Sequence, residues 1–210
     1  VVTAGVESLN IVSGGTGYVS NSLTVTDSTL QTVTITGDKA LSLAFTGTNG
    51  TANTGSTDAV NGVKLIDGSA ATGALTINLT TNAPTISLAY AGLTVKGGSG
   101  KDTITLAQKA TVDAGAGDDV ISAGAGNDVL RGGAGNDTLD GGADADTVDY
   151  SDNSNPVIIN LGTGSVSGTL GSTAVTVTGS QAQGVDSGTD SITNIENVNG
   201  GSGNDIIVGS

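Results

Sequence analysis

Short apolar bursts, alternating with polar positions and separated by glycine-, serine- and asparagine-rich stretches, run along this chain. Leu9-Asn-Ile-Val12, Leu23-Thr-Val25, Val33-Thr-Ile35, Leu41-Ser-Leu43, Val63-Lys-Leu-Ile66, Leu75-Thr-Ile-Asn-Leu79, Ile86-Ser-Leu88 and Leu93-Thr-Val95 fill the first 96 residues. A period of two over so few residues predicts half-buried strands. No segment carries a helical period, so an all-β fold is expected. Regular short strands suit a sandwich or a solenoid. The strands lead without a break into a strict repeat, and a solenoid can pass its sheets from one repeat type to another. That favours the solenoid.

The strict repeat occupies residues 97–149 and reads glycine, glycine, any, glycine, any, aspartate, any, aliphatic, any. Copies begin at Gly97, Ala114, Ala123, Gly132 and Gly141, and Gly132-Gly-Ala-Gly-Asn-Asp-Thr-Leu-Asp140 is the clearest. Leu106-Ala-Gln-Lys-Ala-Thr-Val-Asp113, between the first two, is one residue short and has lost the glycines. Residues 150–185 break the pattern. There Pro156-Val-Ile-Ile-Asn-Leu161 and Ala174-Val-Thr-Val-Thr178 predict a strand pair appended near 156–178. The repeat resumes over 186–210, with Gly188, Asp190 and Ile192 at its fourth, sixth and eighth places and a full copy at Gly200-Gly-Ser-Gly-Asn-Asp-Ile-Ile-Val208. The expected organisation is four segments: degenerate Thr/Ser/Gly-rich solenoid repeats over 1–96, a roll over 97–149, the strand-pair insertion over 150–185, and resumed repeats over 186–210.

Nine residues give a six-residue turn and a three-residue strand, so two copies close one coil and like positions stack every 18 residues. Glycine supplies the backbone freedom of the turn. The eighth-place residues Ile104, Ile121, Leu130, Leu139 and Val148 point to the core. Sixth-place carboxylates stacked about 4.8 Å apart repel one another unless a cation lies between them.

Composition sharpens this picture. Three tyrosines and one phenylalanine are the only aromatics, so the core is one of stacked aliphatic rows. Of 20 acidic residues only Glu7 and Glu196 are glutamate, which places the acids in tight turns. The net charge of −14 excludes nucleic acid and anionic membranes as expected partners and favours hard cations. There is no Cys or His, hence no disulfide, no soft-metal site and no hydrolase triad; no enzyme and no catalytic residue are expected. No apolar run is long enough for a transmembrane helix. With no initiating Met and no signal peptide, the chain is expected to be a piece of a longer protein. Oxygen donors alone suit Ca²⁺, with Mg²⁺ ranked second.

The nonapeptides resemble the RTX (repeats-in-toxin) family of calcium-binding secreted proteins. The resemblance implies a right-handed parallel β-roll, or β-solenoid, with Ca²⁺ as the ligand. Each ion would lie between copies two apart, taking second- and fourth-place carbonyls plus aspartate from one and first- and third-place carbonyls plus aspartate from the next. Carried onto this sequence, one set is Gly98, Gly100 and Asp102 with Ala114, Ala116 and Asp119. A second is Gly115, Gly117 and Asp119 with Gly132, Ala134 and Asp137. On the opposite edge, Gly124, Gly126 and Asp128 would meet Gly141, Ala143 and Asp146. Asp190 and Asp205 would flank a further site.

Two departures bear on these sets. The copies at 97 and 114 are 17 residues apart, so that site is expected to be distorted, and Asp144 stands where glycine belongs, so the array is expected to end there. Asp118, at the fifth place, should face solvent. Asp27, Asp38, Asp58 and Asp67 read as turn formers, Lys96, Lys101 and Arg131 as solvated, and Tyr18, Tyr90, Tyr150 and Phe45 as core or end-cap residues.

The Thr/Ser-rich first half, such as Leu23-Thr-Val-Thr-Asp-Ser-Thr-Leu-Gln-Thr-Val-Thr-Ile-Thr-Gly37, resembles bacterial surface-layer (S-layer) proteins carrying RTX repeats. That resemblance implies type I secretion, an extracellular or cell-surface location, and calcium-dependent self-assembly into a lattice, with outer-membrane lipopolysaccharide as a further partner. The alternative is the RTX module of a type I-secreted adhesin or enzyme whose active part lies elsewhere.

Overall fold

The structure, a computed structural model, describes residues 8–15, 21–25, 30–45, 63–79 and 92–210, with Phe45 in its backbone only. Asp27, Asp58, Tyr18, Tyr90 and the burst at 86–88 lie outside the described residues. Seven strands precede the array: β1 (Ser8–Val12), β2 (Asn21–Val25), β3 (Thr32–Gly37), β4 (Leu41–Phe45), β5 (Leu65–Ala71), β6 (Leu75–Asn78) and β7 (Leu93–Lys96). The array forms β8 (Thr103–Thr105), β9 (Ala110–Ala116), β10 (Val120–Ala125), β11 (Val129–Ala134), β12 (Thr138–Ala143) and β13 (Thr147–Asp149). Then follow β14 (Val157–Asn160), β15 (Val166–Leu170), β16 (Thr173–Val177), β17 (Gln181–Gly184), β18 (Gly188–Thr193), β19 (Asn197–Asn199) and β20 (Ile206–Val208). No helix occurs among the described residues, and so none that would cross a membrane.

Strands alternate between two sheets. One runs β1-β3-β5-β7-β9-β11-β13-β19, and the other β2-β4-β6-β8-β10-β12-β18-β17-β14-β20. All neighbours are parallel except where β17 pairs antiparallel with β14 and β18. The fold is therefore all-β, with parallel sheets of the β-roll kind. Register turns the sequence period into a core. Val33, Ile66, Val95, Val112, Leu130, Val148 and Val198 stand in one cross-strand row. Leu43, Ile77, Ile104, Ile121, Leu139 and Ile192 stand in the facing one. All but Val198 are buried. Each such side chain contributes about 1.5–3 kcal/mol of apolar burial, which is how a chain nearly free of aromatics holds together.

The short step between the copies at 97 and 114 does not shift this register: Ile104 and Ile121 pair directly. The missing residue falls in 106–113, on the opposite half of the coil. The run of nonapeptide copies ends with the one that carries Asp144, but the turn there keeps its shape. That residue takes the positive φ of the glycine it replaces (80°), and β13 continues into pairing with β19. An Asp tolerates this conformation better than most side chains.

The insertion differs from the expected pairing of 156–161 with 174–178. The antiparallel hairpin is β15 with β16, joined across Gly171 and Ser172. β14 instead lies inside the large sheet, antiparallel to β17 and parallel to β20. The hairpin packs Leu170 and Val177 over Ile158, making a small second core.

The outer face of the first sheet carries an alternating charge row. Asp67 stands beside Lys96, Lys96 beside Asp113, and Asp113 beside Arg131. Arg131 then pairs with Asp149 and reaches Asp152 at 3.6 Å. Opposite charges directly across strands favour this register. Arg131 is thus half-buried in a charge row, where solvation had been expected, while Lys96 and Lys101 are exposed. Asp38 is exposed, and Asp67 accepts bonds from Ser69 as a turn former does.

Candidate calcium centre

The turns lie along the two edges where the sheets meet, and their glycines are needed for stacking. At Gly133, φ is 101° and an added methyl would collide with the Gly115 carbonyl oxygen one coil below. The turn of the first copy is different, because Gly98 and Gly100 do not share the positive φ of their counterparts. Paired residues carry the turns from coil to coil: Gly115 beside Gly133, Ala116 beside Ala134, Gly124 beside Gly142 and Ala125 beside Ala143.

The sixth-place carboxylates form two ladders. On one edge the Asp102 N–H donates to Asp119 Oδ1 at 2.7 Å, Asp119 N–H to Asp137 Oδ1 at 2.8 Å, and Asp137 N–H to Asp190 Oδ1 at 2.9 Å. On the other, Ala110 N–H donates to Asp128 Oδ1 at 2.6 Å, Asp128 N–H to Asp146 Oδ1 at 2.8 Å, and Asp146 N–H to Glu196 Oε2 at 2.9 Å. The six aspartates of these ladders are buried. Fifth-place side chains run the opposite way: Asp118 accepts from Asn136 N–H at 3.0 Å, and Asn136 from Thr189 N–H at 2.9 Å. Asp118 does face solvent, but it also ties its coil to the next.

One carboxylate oxygen of each rung is therefore spent on the coil below. The other, Oδ2 of Asp119, Asp128, Asp137 and Asp146, is buried with no hydrogen-bond partner. An acceptor held out of water without a donor costs about 1–3 kcal/mol. Burial pushes Asp119 and Asp128 up to about 7, aided by Asp102 and Asp137 for the first and Asp146 for the second. Asp102, Asp137 and Asp146 are also raised, chiefly by burial. Oxygen-only sites of this kind fit a hard divalent cation, whose charge answers both the repulsion and the missing donor. Among the described residues no group of three or more carboxylates is placed to hold an ion by side chains alone. The remaining ligands must then be backbone carbonyls of the stacked turns. Two carbonyls of the expected sets already accept one bond each, Gly98 from Ala116 N–H and Ala134 from Gly117 N–H, and each keeps a second lone pair.

The structure sorts the expected residues. It brings Asp119 with Asp137 and Asp128 with Asp146, and in both pairs each Asp keeps one oxygen without a partner. Asp102 and Asp119 are also one step apart, but both Asp102 oxygens are engaged, by Leu75 N–H at 2.7 Å and Gly98 N–H at 2.9 Å. That closure sets this rung apart. Asp190 and Asp205 do not meet: β17 and β14 lie between their strands, and Asp205 accepts from Val157 N–H at 3.0 Å. Sequence reasoning missed Glu196 and the role of Tyr150.

Tyr150, buried as expected of a core residue, donates its hydroxyl to Asp190 Oδ2 at 2.7 Å. The oxygen left free on other rungs is here occupied by a protein donor. Burial raises Asp190 to about 7 and holds the Tyr150 phenol well above its usual range, so the phenol stays protonated and donates. Tyr150→Phe should cost about 1.5–3 kcal/mol in urea unfolding of the calcium-saturated chain. A change below about 0.5 kcal/mol would contradict that role.

Stacked glycine turns with two rows of buried aspartates, on a parallel two-sheet roll, define a β-roll whose turns offer oxygen donors to a hard cation. The family model of the RTX calcium-binding nonapeptide repeat matches in four copies, over residues 113–148 and 194–210, which supports an RTX-family protein. No curated protein and no solved structure matches the chain significantly.

Proposed function

We propose that this chain is a calcium-binding structural surface protein whose folding and self-assembly into an S-layer depend on calcium. The observation that carries the calcium part is the set of four buried, unpartnered carboxylate oxygens in stacked turns. Binding free energy at such sites is folding free energy. Extracellular modules bind at about 10⁻⁴–10⁻³ M, so the chain would stay unfolded where calcium is scarce and fold after export. Secretion to the cell surface by the type I route is part of this reading, as is the absence of catalysis within the chain. A right-handed winding is assigned because parallel crossovers take that hand in about 98% of cases. Assembly is favoured by the Thr/Ser-rich strands before the array, which continue its two sheets. Lipopolysaccharide is the proposed anchor on the outer membrane.

Calcium titration followed by circular dichroism, light scattering and electron microscopy tests both levels. A gain of β signal with growth of sheets supports the whole proposal. A gain of β signal in a strictly monomeric chain leaves the RTX module of a secreted adhesin or enzyme as the better reading. No gain of β signal overturns the calcium role itself.

A further inference from the structure

The parallel register carries two rows of outward side chains across the first sheet. One row holds Leu65, Thr94, Thr111 and Val129 at its centre. The other is the charge row of Asp67, Lys96, Asp113, Arg131 and Asp149. Every strand of the second sheet lacks Lys and Arg, so of the two sheet faces this one alone carries both signs. Lys96 is exposed, and among the described residues neither it nor Asp113 beside it forms an ion pair. The two charges at the middle of the sheet thus stay open to a partner. A shallow depression there is lined by Thr94, Lys96, Thr111 and Asp113, and offers a place for the stem of a facing lysine.

Eight strands place the centre of this sheet between β7 and β9. A two-fold axis laid there, parallel to the strands, turns a second copy face to face with the first. It reverses the strand order and keeps each row at its own height along the strands. Lys96 then faces Asp113 and Asp67 faces Arg131, each pair occurring twice. In the other row Leu65 faces Val129, and Thr94 faces Thr111. Asp149 falls opposite Thr34, so no like charges meet. Because signs alternate from strand to strand, an axis between any two neighbouring strands would match the charges. Leu65 and Val129, the only apolar residues of the two rows, select the axis between β7 and β9. Overlap of all eight strands selects the same one. An axis along the roll would instead set each charge against its own kind. Three aspartates against two cations leave the row net negative, on a chain of charge −14, so an anionic polymer fits this face poorly. A second copy fits it because the pattern is self-complementary, as an isologous interface requires.

We propose that the outer face of the first sheet is an interface between two copies of this chain, packed face to face about a two-fold axis between β7 and β9. The inference deepens the self-assembly reading given above and rests on it. The rows hold their register only in the folded roll, so calcium controls the contact without taking part in it. Such a polar contact is weak on its own and gains strength when it is repeated in a lattice.

Sedimentation of the calcium-saturated chain tests this with K96D and D113K, separately and mixed. Each variant alone sets like charges against each other twice, and should associate at least about tenfold more weakly than the wild type. Mixed, the two variants restore both contacts, and association should return to within about threefold of the wild type. About 0.5 M salt should weaken the wild type as well. Variants that associate like the wild type, or a mixture that stays as weak as its parts, overturn this interface and leave self-assembly standing. A wild-type chain that stays monomeric throughout overturns both. Should either variant show no β signal with calcium, cross-linking decides. Facing sheets lie about 10 Å apart, so a thiol linker of about that length should join L65C to V129C but not L65C to itself. Absence of that difference overturns the interface.

Discussion

Removing calcium with a chelator at about pH 7.5 is expected to unfold the roll, and acidifying the same metal-free chain to about pH 4.5 to restore part of its β signal. The direction follows from the folded-state carboxyls. Asp119, Asp128 and Asp190 sit at about 7 because burial disfavours their charge, whereas an unfolded Asp titrates near its model value of 3.8. Between these values the folded chain holds more protons than the unfolded one. Their contribution to stability is therefore fully present below about pH 4 and is lost as pH rises through about 7. Calcium takes over the role of the protons: with the ion bound, the carboxylates are charged, and acid now competes with it. Calcium affinity should thus fall as pH drops from about 7 to 4, while the stability of the metal-free chain rises. Circular dichroism and urea midpoints across this range, with and without chelator, measure both trends. A chelated chain that keeps full β signal and an unchanged midpoint at neutral pH would remove the cation from the folding account.

The second large effect is steric. Gly133→Ala in the calcium-saturated chain is expected to cost at least about 3 kcal/mol. Its φ of 101° strains any side chain, and the methyl would occupy the place of the Gly115 carbonyl oxygen. Relief requires opening the step between two coils, which also pulls Asp119 away from Asp137. Calcium affinity should fall together with the urea midpoint. Gly164→Ala is the control, since nothing lies within 4 Å of its added carbon and its φ is ordinary; a change within about 0.5 kcal/mol is expected there. Equal effects at the two positions would mean that general chain entropy, and not the stacked carbonyl, limits the turn.

What the sequence made legible follows from period. The eighth-place aliphatics fall in two cross-strand rows because a strict repeat leaves no choice of register. The sixth-place aspartates stack for the same reason. The insertion was less legible because its strands are chosen by partners far away in sequence. Gln181-Ala-Gln-Gly184 has almost no apolar signal, yet it fills a gap between β14 and β18. Val166-Ser-Gly-Thr-Leu170 pairs with the strand next to it through a two-residue loop, and so displaced the longer-range pairing expected for 156–161. Asp144 looked like a defect because composition says glycine, but the backbone geometry survives the substitution. Glu196 was hidden because the turn before β19 is short and moved it out of phase with the nonapeptide. Its one signal was chemical: in a chain whose acids are nearly all aspartate, a glutamate beside the resumed repeat marks a carboxylate that has further to reach.

The opposed fifth- and sixth-place ladders bind each turn to both neighbours at once. Sixth-place oxygens serve the coil below, and fifth-place oxygens serve the coil above. A coil in the middle is thus satisfied from two sides, and a coil at a free end from only one. The roll behaves as a short one-dimensional crystal, in which the terminal layers melt first and each added layer raises the stability of the one before it.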